Sequence, residues 1–308
     1  MTPTFRRIAP LLALLLLAPV ACDPRTAPAD EEHVETPEQA DPEDDRLEDL
    51  LEEAEAAWSN RGDKAEATRA IELWEKVADE ADDELTDDDL VTLYESIARA
   101  HYFIARFHLA DGPDITADTD LGDTLDDGLD AASRALEITA PDFRRAVDVG
   151  APFEADFPEF DDEAATALLW YGKHLHLRAK TGNESTAQSL NPVVDTIMER
   201  VAELNPEAHF GAAHRYWGTR HIDRLFNRNP EASLQAFETS LDSAPDYLLT
   251  RVLLAVHLKT FHDDRDGFQT ELRTVINTDD EELLALPENA IARGWASRLL
   301  KRTDELFD

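Results

Sequence analysis

The chain has 308 residues, including 29 Lys and Arg against 67 Asp and Glu, and its formal net charge of −38 excludes a protein that follows a phosphate backbone. We therefore expect no nucleic acid among its partners. A single cysteine excludes an internal disulfide and a cysteine-based zinc knuckle. The 11 glycines are too few for a glycine-rich nucleotide fold, whereas 43% apolar residues are enough for a folded core.

Residues 1–22 have the layout of a secretory signal peptide. Arg6 and Arg7 precede an apolar segment that is shorter than the roughly 20 residues needed to span a bilayer. The only cysteine, Cys22, follows Ala21 and closes the segment, which resembles the lipid-modified cysteine of bacterial lipoproteins. We therefore expect a protein of the bacterial cell envelope that faces the periplasm and is held to the membrane by a lipid on Cys22. The alternative is an ordinary signal peptide that is cleaved nearby.

Residues 23–44 are predicted to be an acidic, proline-rich tether. Its prolines prevent a continuous helix, and its carboxylates repel one another and extend the chain. Such a tether would lift a folded body away from a membrane surface.

From residue 45 onward, apolar residues recur with the 3.6-residue period of an amphipathic helix. The first group on one face is Leu47, Leu50, Leu51, Ala54 and Trp58. No segment alternates apolar and polar residues for long enough to predict a strand, and turn residues such as Thr181–Asn183 separate the helical segments. The pattern predicts an all-α fold.

A repeated spacing of small and apolar residues indicates helix pairs. Intervals of four and three residues, followed by a proline, are typical of the second helix of a tetratricopeptide (TPR) pair. They occur at Val194, Met198, Val201 and Pro206, and again at Ser233, Phe237, Ser240 and Pro245. Related groups begin at Ala70, Gly128 and Phe268, but the groups are unevenly spaced. We predict one TPR-like α-helical domain over residues 45–308, built as an irregular helical-hairpin solenoid.

Residues 141–160 form an insertion in this pattern that is rich in phenylalanine. Phe143, Phe153, Phe157 and Phe160 lie in it. The rings either cap a hydrophobic groove or fill the core beside helix ends, and we favour the core interpretation.

No motif of metal binding or catalysis stands out. His174 and His176 point to different helix faces, and no acid completes a site with His214 and His221. Acidic runs such as 87–89 precede apolar helical stretches, where they complement the helix dipole. We predict no metal, no cofactor and no catalytic residue. A helical enzyme with an unrecognised site is the least favoured alternative.

Five residues of the second half are the predicted ligand-binding residues: Trp170, Tyr171, Phe210, Arg215 and Trp217. The guanidinium of Arg215 can bind a carboxylate through two hydrogen bonds, and an aromatic-walled slot around it would suit a small organic acid. The alternative is that the rings belong to the core and that Arg215 pairs with a neighbouring helix.

Several motifs of the second half occur in a characteristic order. They are Leu168–Gly172, Ala202–Pro206, the stretch Phe210–Gly218 with its two glycines, and the terminal Asp304–Phe307. In these motifs the chain resembles the T-component of tripartite ATP-independent periplasmic (TRAP) transporters, a family of TPR-like lipoproteins. The resemblance covers residues 160–308 well and 45–160 loosely.

The resemblance implies an accessory subunit rather than an enzyme. Its partners would be a periplasmic solute-binding protein and the TRAP permease, and it would carry an apolar or organic-acid ligand. The alternative is a general TPR scaffold lipoprotein that assembles envelope proteins without transporting a ligand. The sequence leaves open the solute, the membrane leaflet and whether the chain forms a homo-oligomer.

Overall fold

The computed structural model describes residues 42–80, 85–110, 112, 119–143, 160–224 and 226–307, and no strand occurs in these ranges. The prediction of an all-α fold is therefore confirmed for this part of the chain. The predicted signal peptide with Cys22, almost all of the predicted tether, and Phe153 and Phe157 lie outside it.

Thirteen α-helices and two π-helices make up the described ranges. In chain order they are α1 Pro42–Ser59, α2 Lys64–Glu80, α3 Asp87–Phe103, π1 Ile104–Leu109, α4 Thr119–Thr139, α5 Ala165–Thr181, α6 Glu184–Leu204, α7 Ala208–Asp223, α8 Pro230–Ser243, α9 Leu249–Leu253, π2 Leu254–Lys259, α10 Arg265–Ile276, α11 Glu281–Ala285, α12 Pro287–Lys301 and α13 Thr303–Leu306. The first described helix thus begins at Pro42, three residues before the predicted body. Proline is tolerated in the first turn of a helix, where its missing N–H would have no partner.

Consecutive helices pack in pairs, α1 with α2, α3 with α4, α5 with α6 and α7 with α8. The repeated spacing marks the buried face of the second helix in these pairs. Val194, Met198 and Val201 of α6 and Ser233 and Phe237 of α8 are all buried. Each second helix must pack tightly on its partner, which explains the small or apolar residues at these positions. The pairing is observed, and the interpretation of the pairs as TPR-like stays a prediction.

Helix α12 near the C-terminus packs against the first helices of the chain. The ring of Phe107 in π1 stacks on Trp295 of α12 with centroids 5.6 Å apart. Arg61, in the turn between α1 and α2, forms an ion pair with Glu288 of α12 at 2.8 Å between Nη2 and Oε2. The described helices therefore close on themselves rather than forming an array with two open ends.

The described rings of the phenylalanine-rich insertion belong to the core. Phe143 and Phe160 are both buried. The ring centroids of Phe143 and Phe160 lie 6.4 Å apart. The ring of Phe143 also packs edge-on against that of Tyr171, with centroids 5.1 Å apart. These contacts agree with the core interpretation of Phe143 and Phe160.

A half-buried carboxyl on α3 predicts one effect of pH on stability. Burial raises the pKa of Glu95 to about 7 from the ordinary value of 4.5. The folded carboxyl stays protonated while the unfolded one ionises, so its contribution to stability is present below pH 4.5 and is lost as the pH rises through about 7. We expect Glu95→Gln to raise the free energy of unfolding by about 2 kcal/mol at about pH 8 and to change it little near pH 4.5.

Urea unfolding at the two pH values measures this effect. The matched control is Glu72→Gln on α2, whose side chain is exposed and which should change stability by less than about 0.5 kcal/mol at both. An equal gain at both pH values would show that the gain of Glu95→Gln does not come from ionisation.

Candidate functional site

The first turn of α7 has an unusual backbone. His209, Phe210 and Gly211 have φ angles of 45°, 63° and 71°, in the left-handed region. Two consecutive residues with side chains in this region cost roughly 1–3 kcal/mol each, so the surrounding structure must hold them there. Arg215 does so, because its Nη2 donates to the carbonyl oxygen of His209 at 2.8 Å and its Nη1 donates to that of Phe210.

The two glycines of the Phe210–Gly218 motif allow α8 to approach α7. A Cβ atom at Gly211 would lie 2.8 Å from the hydroxyl of Ser243, and one at Gly218 would lie 2.7 Å from the ring of Phe237. Gly211 also adopts its positive φ without steric cost. The motif therefore serves the left-handed turn and the close packing of the α7–α8 pair.

A cavity of about 230 Å³ lies beside this turn. Side chains from α3, π1, α5, α6, α7, α9 and π2 line it, together with Tyr247 just before α9. Four of its lining residues are basic: Arg106, Lys173, Lys180 and Arg215. No carboxylate is among the lining residues that the structure describes. The remaining walls include Tyr102, Tyr216, Tyr247 and several aliphatic side chains.

Both π-helices contribute to the cavity wall. Arg106 comes from π1 and His257 from π2, although the two lie far apart in the sequence. A π-helical turn is rare because its hydrogen bonds are less favourable than those of an α-helix, and such turns occur frequently at functional sites. Their presence on two sides of one cavity supports a binding role for it.

Lys173 is one of three buried cations in the wall of the cavity, together with Arg106 and Arg215. It is only 8% exposed, and its Nζ lies 3.0 Å from Nδ1 of His209 and 4.0 Å from the centroid of the Tyr102 ring. Burial, followed by the like charges of Arg215, Arg99 and Arg106, holds the pKa of Lys173 well below its usual range. Burial and the neighbouring cations likewise lower the pKa of His209.

An ion-pair cluster stands at another side of the cavity. Asp223 pairs with Lys180 and accepts a hydrogen bond from His257 Nδ1 at 2.8 Å. Burial alone would raise the pKa of Asp223, but the contacts with His257 and Lys180 lower it well below its usual value. His176 lies nearby, and burial lowers its pKa to about 3, which keeps the imidazole neutral. Its Nδ1 is buried and has no partner among the described residues.

Three of the five predicted binding residues lie at or beside the cavity. Arg215 lines it and is 5% exposed. The ring of Trp170 packs against that of Tyr102, a lining residue, with centroids 5.8 Å apart. Phe210 stacks on Tyr247 at 4.6 Å. Trp170 and Phe210 therefore support lining residues and are not themselves among them.

The other two predicted residues do not line the cavity. Tyr171 points to a different side of α5 from Trp170 and contacts Phe143. Trp217 packs against Tyr216 and His221. Adjacent residues on a helix face different directions, so two neighbouring aromatic residues do not share one wall.

Lys173 was not among the predicted residues, although the sequence carries a signal for it. It is the only Asp, Glu, Lys or Arg within residues 165–177. The structure buries most of α5 on every side, and an apolar helix of this kind is a costly place for a charge. Arg106 and Lys180 carry no comparable signal, because their place in the cavity depends on how distant helices pack.

The described ranges contain no group of three or more His, Cys, Asp and Glu side chains placed to hold a metal ion. None of the described helices has the length and apolar character of a membrane span. The site combines a small cavity, four basic side chains and aromatic walls. This arrangement is suited to binding a ligand.

The comparisons with known proteins agree with the resemblance seen in the sequence. No curated protein matches the chain. The model of the TRAP transporter T-component family matches residues 126–307, which is more than half of the chain. The matched part includes the left-handed turn and every cavity-lining residue except Tyr102 and Arg106. The chain belongs to the TRAP transporter T-component family.

Proposed function

We propose that the protein is a lipid-anchored accessory subunit of a TRAP-type solute uptake system, that it binds the periplasmic solute-binding protein of that system, and that it holds a small ligand in the cavity beside α7. The observation that carries the proposal is the family match over residues 126–307. The permease would be the membrane partner of the assembly. The function is binding, without catalysis.

The free-energy cost of burying basic side chains in its wall supports the use of the cavity as a ligand site. Lys173 and Arg215 are buried, and neither forms an ion pair with a described carboxylate. Burying an ionisable group without a charged partner is unfavourable, because the charged form loses its hydration or the group gives up its charge through a shifted pKa. Ionisable groups retained at such a cost mark functional-site candidates.

Co-purification tests the association with the solute-binding protein. The full-length protein would carry a C-terminal tag, be expressed from its own locus and be crosslinked in cells before purification. We expect a periplasmic solute-binding protein of the TRAP type among the crosslinked partners, and an unrelated tagged lipoprotein at the same level serves as control. Recovery of other envelope proteins without any solute-binding protein would contradict the proposal and favour a general scaffold.

The lipid anchor predicts the effect of one substitution. We expect Cys22→Ser to move the protein from the membrane fraction to the soluble envelope fraction, because the serine hydroxyl cannot receive the lipid and each buried CH₂ contributes about 0.8 kcal/mol to membrane binding. Fractionation followed by immunoblotting measures this. Thr26→Ser, four residues further on, is the control and should leave the protein in the membrane fraction. Retention of Cys22→Ser in membranes would contradict the anchor.

A further inference from the structure

We propose that the cavity binds a small organic monoanion through its carboxylate, that Lys173 is the residue that recognises this carboxylate, and that Lys173 takes up a proton when the anion binds. The inference rests on the proposed function, because it takes the cavity to be a ligand site. It adds, for the organic-acid ligand that the resemblance implies, the recognising group and a coupling between binding and protonation.

The charge of the interior is opposite to that of the whole chain. Arg61, Arg106, Lys173 and Arg215 are buried, whereas Glu288 is the only buried acid among the described residues. Glu288 is already paired with Arg61. In a chain with 67 acidic and 29 basic residues, an excess of cations around one cavity requires a specific reason, and an anionic ligand provides it.

The groups that act on Lys173 come from four elements. Arg99 and Tyr102 approach from α3, Arg106 from π1, Arg215 and His209 from α7, and Glu288 from α12. Only Glu288 among these is negative, and its carboxylate contacts Arg61. A carboxylate that enters the cavity beside Lys173 would therefore supply a negative charge that these groups lack.

The physical basis of the proton uptake is the change in charge around Lys173. Before binding, burial and the neighbouring guanidinium groups favour the neutral amine, because they lower the pKa of Lys173. A carboxylate placed beside the amine favours the ammonium form, since opposite charges within about 4–6 Å stabilise each other. Binding then draws one proton from solvent, and affinity rises as the pH falls, until the carboxylate itself is protonated.

Arg215 can add hydrogen bonds to the same carboxylate. A guanidinium has about five N–H donors, and the carbonyls of His209 and Phe210 accept from two of its nitrogens. The left-handed turn thereby fixes the orientation of the guanidinium. Tyr102, Tyr216 and Tyr247 line the same space, so the apolar part of a small aromatic or aliphatic acid would have rings to pack against.

Calorimetric titration of the purified full-length protein in detergent tests the inference. The probes are phenylacetate and hexanoate, their uncharged amides, and inorganic phosphate. Each titration is run in two buffers that differ in ionisation enthalpy, which gives the number of protons taken up. Lys173→Met replaces the amine by an apolar chain of similar length, and the matched control is Lys76→Met, whose side chain is exposed on α2.

We expect at least one carboxylate to bind, its amide and phosphate to bind at least about tenfold more weakly, and binding at about pH 8 to be accompanied by measurable proton uptake. Lys173→Met should weaken binding by about 10- to 100-fold and remove the proton uptake, whereas Lys76→Met should change neither. Equal binding of acid and amide, preferred binding of phosphate, or unchanged affinity in Lys173→Met would overturn the inference, as would the absence of binding by both acids.

The two proposals fail separately. Loss of the crosslinked solute-binding protein would remove the proposed function and leave the titration results valid as a statement about the cavity. Failure of the titrations, with the solute-binding protein still recovered, would remove only the anion site.

Discussion

Replacing Glu288 by alanine is expected to lower the free energy of unfolding by about 3–5 kcal/mol. The side chain of Glu288 is 1% exposed and that of its partner Arg61 is 8% exposed, with 2.8 Å between Nη2 and Oε2. Removing the carboxylate leaves Arg61 charged and buried. The loss is large because a buried charge without a partner costs several kcal/mol, in order of magnitude.

A second guanidinium increases the effect. The Cζ atoms of Arg61 and Arg99 lie 4.6 Å and 5.0 Å from the ring centroid of Trp58. Without Glu288, two like charges would share this indole and no buried carboxylate would compensate them. The contact also joins the turn after α1 to α12, so its loss affects both ends of the described helices.

Urea unfolding followed by tryptophan fluorescence measures this effect. The control is Glu53→Ala, which removes the exposed ion pair of Glu53 with Arg69 at 3.0 Å. Exposed pairs contribute about 0–1 kcal/mol because water screens them. Similar small losses in both variants would show that the Arg61–Glu288 pair does not hold α12 against the first hairpin.

The second large effect is expected for Arg215→Ala, at about 2–4 kcal/mol of lost stability in the absence of any ligand. The substitution removes the donors to the carbonyls of His209 and Phe210, and unsatisfied buried acceptors cost about 1–3 kcal/mol each. It also removes the stacking of the guanidinium on Tyr247, whose ring centroid lies 4.4 Å from Cζ. The left-handed turn would then lose the side chain that satisfies two of its carbonyl groups.

The control for this variant is Arg273→Ala. Arg273 is exposed on α10, where its guanidinium donates to Gln269, and its loss should change stability by less than about 0.5 kcal/mol. Thermal and urea unfolding without added ligand measure both variants. If Arg215→Ala unfolds like the unchanged protein, the support of the left-handed turn by Arg215 is not important for stability, and a ligand-binding role alone would remain.

The helices and their buried faces could be predicted from the sequence. The period of apolar residues is local, since residues three and four apart share a face wherever the helix later packs. The faces of α1, α2, α6, α8 and α10 were therefore identified correctly. Family membership was also accessible, because its motifs in the second half are short and occur in a fixed order.

The predicted site agrees only partly with the cavity. The reason is that the sequence pattern is local, whereas the cavity is formed by residues that lie far apart in the sequence. Arg215 was selected because a cation is unusual in an acidic chain, and it lines the cavity. Trp170 and Tyr171 are both predicted binding residues, yet the helix directs them to different sides, towards Tyr102 and Phe143. A sequence pattern states which side of a helix is buried, and it does not state which distant side chain will be met there.

The tertiary structure alone decided how the helices close and where the cavity lies. Nearest-neighbour packing of helix pairs predicts an array with two ends, whereas Phe107–Trp295 and Arg61–Glu288 join its beginning to its end. The residues that line the cavity are spread over the sequence from Tyr102 to His257. These residues come together through long-range packing of the helices, and many packing arrangements would bury a similar apolar area. Only the completed fold therefore brings the four basic side chains into one cavity.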